Sequence, residues 1–126
     1  MRESIRTPLG KVRGLGSAKE GVHHFIGQRV TAIALLFLAP WFLITLLGYV
    51  RGGYTAAMTF VAGPLHAILI VVMLGAACYH MRIGMQVVIE DYIGRTGTRL
   101  FLLLLNTFVC ILVFAVGAFA VLTIAT

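Results

Sequence analysis

The segment His80–Tyr92, HMRIGMQVVIEDY, gathers the side chains best able to do chemistry in this chain: an imidazole, carboxylates and a phenol. On an α-helix His80 and Asp91 lie about three turns apart, so they point in nearly the same direction and are separated by ~16 Å. Ala76 and Gly84, one turn to either side of His80, leave that face open to a flat macrocycle or a second helix. A histidine inside an apolar layer needs a partner, because an unsatisfied polar group there costs several kcal/mol. It can hydrogen-bond a carbonyl or hydroxyl of a neighbouring helix, or ligate a haem iron through a neutral imidazole. Asp91 and Tyr92 fall at the water edge. A phenol there can donate to the carbonyl of a quinone, and a carboxylate can relay the protons that quinone reduction consumes. The same two residues also suit an interfacial tyrosine beside a snorkelling charge belt.

The elements that position these groups follow from composition. Of 126 residues, 60% are hydrophobic and 11% charged, with a mean hydropathy of +1.02. That profile belongs to an all-α integral membrane protein, organised as a single domain over residues 1–126. The net charge of +6 has no basic face to present to nucleic acid; it serves to fix topology. Cys78 and Cys110 stand singly in apolar runs and read as small core hydrophobes.

Residues 1–24 form a polar, glycine-interrupted arm. Residues 30–50 carry no charge, so a first helix over about 25–50 is long enough to cross the ~30 Å hydrocarbon core. Pro40 should kink it, and Trp41 is too deep for an interface anchor and packs on lipid or a helix. After the Arg51–Tyr54 turn, Thr55–Phe60 is expected near the interface. A second helix spans about 62–91, with Pro64 in its first turn. Arg82 lies inside it and needs water, a counter-charge or a snorkelling route. A third helix covers about 99–125, giving a count of three.

Arg2, Arg6, Lys11, Arg13, Lys19, Arg29, Arg95 and Arg99 fall on one side of these helices, against Arg51 alone on the other. The positive-inside rule therefore predicts a cytoplasmic N-terminus and a periplasmic C-terminus. It also puts Asp91 and Tyr92 at the cytoplasmic surface and His80 near the midplane.

Were His80 a haem ligand, the other axial ligand would have to come from elsewhere. His66 is on the same helix, about 21 Å away, and His23 and His24 belong at the membrane edge, roughly half a bilayer from His80. A six-coordinate haem thus requires a second polypeptide. Arg29 opens the first helix at the depth of Asp91 and Tyr92, with His24 close by, where a cation would pair with haem propionates.

The His80-x10-Asp91-Tyr92 spacing, with Gly84 and Met85 inside it, resembles the small membrane-anchor cytochrome b subunit of succinate dehydrogenase (complex II). Gly21-Val22-His23-His24-Phe25 followed by Arg29-Val30-Thr31-Ala32-Ile33 resembles the start of that subunit's first helix. The likeness covers essentially the whole chain. It implies that His80 is an axial ligand to haem b shared with the larger cytochrome b anchor subunit. It further implies that Tyr92 hydrogen-bonds ubiquinone, with Asp91 beside it and Arg29 and His24 near the quinone site or the propionates. The expected partners are that anchor, an iron–sulfur subunit, a flavoprotein subunit and membrane lipid, in a bacterial inner membrane. The reaction the resemblance implies is succinate oxidation with ubiquinone reduction, as in the tricarboxylic acid cycle and respiratory chain; this chain alone would catalyse nothing. Arg82 and Val87 depart from the family pattern, standing where bulkier apolar residues are common. A fumarate reductase-type anchor, which can lack haem, and a structural or assembly protein remain as alternatives.

Overall fold

The structure, a computed structural model, describes residues 7, 9 and 20–126. The charges at Arg2, Arg6, Lys11, Arg13 and Lys19, and most of the expected arm, lie outside the described residues. Among residues 20–126 four helices are defined: α1 (Glu20–Val50), α2 (Gly53–Ala62), α3 (Pro64–Tyr92) and α4 (Thr96–Ala125). No strand occurs among the described residues. Three helices, α1, α3 and α4, are long and apolar enough to span a membrane, so the protein is an all-α, three-span membrane protein.

The fourth helix is the one the sequence reading did not count. Gly53, at φ +81, takes the left-handed conformation that closes the Arg51–Gly53 turn, and the ten residues behind it wind into α2. At 10 residues it is about 15 Å long and cannot cross a bilayer. It packs instead against α1, α3 and α4 at the end where α1 stops and α3 starts. Phe60 of α2 is fully buried there, within 6.2 Å of Trp41, 6.0 Å of Phe42, 5.3 Å of Tyr49 and 4.7 Å of His66, ring centre to ring centre. Trp41 is therefore packed on helices. Aromatic pairs in this range gain about 0.5–1.5 kcal/mol each beyond burial.

α3 is the middle helix. It contacts both α1 and α4, while α1 and α4 do not touch one another. Of the seven buried hydrophobic residues among those described, five, Ala67, Ile70, Cys78, Ile83 and Ile89, accordingly lie on α3. α1 runs unbroken through Pro40. Pro64 starts α3 at a position where its missing N–H is not needed, with Gly63 extended before it. Ile93 leaves helical geometry and donates its N–H to the Ile89 carbonyl, which ends α3 just past Tyr92.

The two seams are set by small residues. On the α1–α3 seam, a Cβ at Gly27 would stand 3.0 Å from Cε1 of Tyr79 and 3.3 Å from Cδ1 of Ile83. On the α3–α4 seam, a Cβ at Gly75 would meet Phe114 at 3.3 Å, and one at Gly117 would overlap Leu74. Close backbone approach at small residues is how spanning helices associate when lipid removes the hydrophobic drive between them.

Candidate functional site

His80 sits on the α1 side of α3, half-buried rather than enclosed. Its Nδ1 lies 3.0 Å from the hydroxyl oxygen of Thr31 on α1. That hydroxyl also lies 2.7 Å from the carbonyl of Gly27 and 3.2 Å from that of Gln28. His80 Nε2 makes no hydrogen bond with a described residue. The hydrogen-bonding and ligating readings of His80 are therefore not exclusive: one ring nitrogen is engaged and the other is free.

The small residues flanking His80 are not both open. Gln28 of α1 reaches over Gly84, its Nε2 3.7 Å from where a Cβ would be, while its Oε1 is buried without a hydrogen-bond partner. Room beside His80 thus narrows at Gly84, where the first helix approaches.

Arg82 turns the other way, toward α4. Its Nε donates to Thr107 Oγ1 at 3.3 Å, and its main-chain carbonyl accepts from Asn106 Nδ2 at 2.9 Å. The Thr107 hydroxyl thus holds this cation, and no carboxylate among the described residues pairs with it. The cluster extends to Cys110, whose thiol approaches Asn106 Oδ1 at 3.7 Å.

At the far end of α3, Asp91 and Tyr92 are exposed, Tyr92 by 82%. Neither makes a hydrogen bond or ion pair with a described residue. Glu90 beside them accepts from Gln86 Nε2 at 2.8 Å. Arg29 is exposed, its guanidinium 5.2 Å from the centre of the Phe25 ring one turn earlier, and His24 is half-exposed. The structure therefore brings His80 to Thr31, but it joins neither Arg29 nor His24 to Asp91 or Tyr92 by a hydrogen bond, ion pair or ring contact. A pocket closed around Tyr92 would need walls from another chain.

Thr31, Asn106 and Thr107 are the residues that sequence reasoning missed. Each is a polar side chain inside an otherwise apolar spanning helix, the same signal that singled out His80. Their pairings depend on helix register, which the sequence does not display.

The donor set would fit a haem iron that takes its other ligand from elsewhere: an imidazole held at Nδ1 leaves Nε2 in an apolar layer. Among the described residues no group of three or more His, Cys, Asp or Glu side chains could hold a metal ion by itself.

Residues 3–122 match the family model described as succinate dehydrogenase/fumarate reductase transmembrane subunit. Among curated proteins, the succinate dehydrogenase hydrophobic membrane anchor subunit of Rickettsia bellii is 35% identical over 124 residues, covering 98% of this chain and 91% of the relative. The protein of the same name from Rickettsia conorii is 32% identical over 108 residues, with coverage of 85% and 86%. That from Paracoccus denitrificans is 30% identical over 93 residues, with coverage of 74% and 71%.

Proposed function

The chain belongs to the succinate dehydrogenase/fumarate reductase transmembrane subunit family, and from that premise we propose that it anchors a succinate:quinone oxidoreductase in a bacterial inner membrane, contributes one ligand to haem b and supplies part of the ubiquinone-reduction site. Its partners are a larger cytochrome b anchor, an iron–sulfur subunit and a flavoprotein subunit. The observation that carries the reading is the free Nε2 of His80 in the apolar layer, on a helix whose water-edge end carries Asp91 and Tyr92.

His80 would hold haem b, which would supply one-electron transfer there. The chain's own contribution is positional. His80 presents a neutral nitrogen in the apolar layer, where an unpaired polar atom is costly and a ligand bond relieves that cost. Tyr92, about three turns along the helix, donates its hydroxyl to a quinone carbonyl, and Asp91 beside it takes protons from water and delivers them to the reduced quinone. Arg29 provides a cation at the same end for carboxylates of the haem or for the quinone headgroup, with His24 nearby. Flavin and iron–sulfur chemistry belongs to the soluble partners, so this chain alone turns over no substrate.

Purification through a tag on this chain tests the reading. It should bring down a flavoprotein, an iron–sulfur protein and a second anchor, and the complex should show a Soret band and an α-band that sharpens on reduction. Recovery of the three partners without haem absorbance would favour the haem-free, fumarate reductase-type anchor. Recovery without those partners would favour a structural or assembly role.

A further inference from the structure

Thr31 makes the one side-chain hydrogen bond that His80 has among the described residues. A threonine hydroxyl has a single proton, so the bond's direction follows from where that proton goes. Inside a helix it goes to the carbonyl four residues back. Thr45, Thr59, Thr107 and Thr123 of this chain all do so, at 2.7, 2.9, 3.0 and 2.8 Å. Thr31 has the same bond to Gly27 at 2.7 Å, shorter than its 3.0 Å contact with His80. With its proton committed to the Gly27 carbonyl, the Thr31 oxygen can only accept, so His80 Nδ1 carries hydrogen and donates. The neutral ring then has its lone pair on Nε2.

We propose that Thr31 is a positioning residue for His80, holding it as the Nδ1–H tautomer at a fixed ring orientation so that Nε2 is presented as the metal-binding nitrogen. The inference rests on the reading of His80 as a haem ligand and adds what prepares it for that role. An acceptor on the distal N–H also raises the basicity of the ligating nitrogen, which favours the ferric over the ferrous state. Gly27 has a double part. Its carbonyl takes the Thr31 proton, and its missing Cβ lets α1 come close enough for the bond to Nδ1.

The test uses the assembled complex carrying Thr31→Val, Thr31→Ala, Thr31→Ser or His80→Ala. It reads the ferric low-spin electron paramagnetic resonance spectrum and the haem midpoint potential. Thr31→Val and Thr31→Ala should both retain low-spin haem but shift the ferrous/ferric equilibrium toward ferrous by about tenfold, a rise of about 59 mV for one electron. Their resonance should also broaden as the ring loses its fixed orientation. Thr31→Ser keeps the acceptor and should restore the wild-type potential. Wild-type potential and line shape in both hydroxyl-free variants would overturn the role of Thr31, as would a Thr31→Ser variant that behaves like Thr31→Val. If His80→Ala itself leaves the low-spin spectrum unchanged, the ligation reading fails, and this inference with it.

Discussion

Gly27 on α1 lies directly against the ring of Tyr79 on α3, so close that a Cβ at position 27 would stand 3.0 Å from Cε1 and 3.1 Å from the hydroxyl oxygen. This contact sets the approach of the two helices that carry Thr31 and His80. In Gly27→Ala the ring must yield by a few tenths of an ångström, whereas Gly27→Leu forces the helices apart, an overpacking cost of about 1–3 kcal/mol. The purified complex should therefore unfold at lower temperature with Gly27→Leu. Shortening Tyr79 to Ala in the same chain should recover part of the loss, a coupling of about 0.5–3 kcal/mol. Additive effects in the double variant would mean that the two residues do not share this seam.

The α3–α4 seam depends on Asn106 in the same way. Its amide donates to the Arg82 carbonyl at 2.9 Å, next to the bond from the Arg82 side chain to Thr107. Hydrogen bonds between spanning helices contribute about 0.6–1.7 kcal/mol. Asn106→Leu should lower the thermal stability of the complex by that order and leave the haem spectrum unchanged, because Arg82 faces away from the His80 side. A spectral change without a stability change would place Asn106 with the haem rather than with the seam.

Much of this architecture was legible in the sequence because a membrane leaves few options. Uncharged runs around residues 30–50 and 100–126 have to be spans, and a histidine such as His80, deep in the helix between them, has to find a partner. What was not legible concerned relations between segments. Thr31 meets His80 across 49 positions of sequence, and Arg82 meets Asn106 across 24, through helix register that no local pattern displays. The short helix α2 was hidden for a different reason. Gly53 and Tyr54 read as a turn, and the apolar stretch behind them is too short to span yet folds because Phe60 finds an aromatic pocket between α1 and α3.

Topology is the next expectation. By the positive-inside rule, the excess of Lys and Arg at the N-terminal segment and around Ile93–Arg99 predicts that both face the cytoplasm. A reporter active only outside the membrane should work when fused after Thr126 and be silent when inserted at Gly97. The opposite pattern would put Asp91 and Tyr92 on the periplasmic side and remove their proposed role beside the cytoplasmic partners.

Tyr92 is 82% exposed in this chain, and the proposed role has its hydroxyl bond a quinone in the assembled complex. Tyr92→Phe keeps the ring and deletes that donor. Losing a hydrogen bond to a buried carbonyl costs about 1–3 kcal/mol, which corresponds to roughly 5- to 150-fold in rate. Quinone-linked succinate oxidation should fall by that order, while oxidation with a soluble artificial acceptor should stay at wild type. An unchanged ratio of the two activities would return Tyr92 to the interfacial aromatic belt.

The central claim is that His80 ligates haem b, and the low-spin spectrum of the purified complex carrying His80→Ala tests it most directly. Removing one of two strong-field ligands should convert low-spin haem to a five-coordinate or differently ligated form, even where contacts with the partner anchor keep the haem bound. Haem content is therefore secondary to spin state. A ferric low-spin spectrum identical to wild type in His80→Ala would contradict the account.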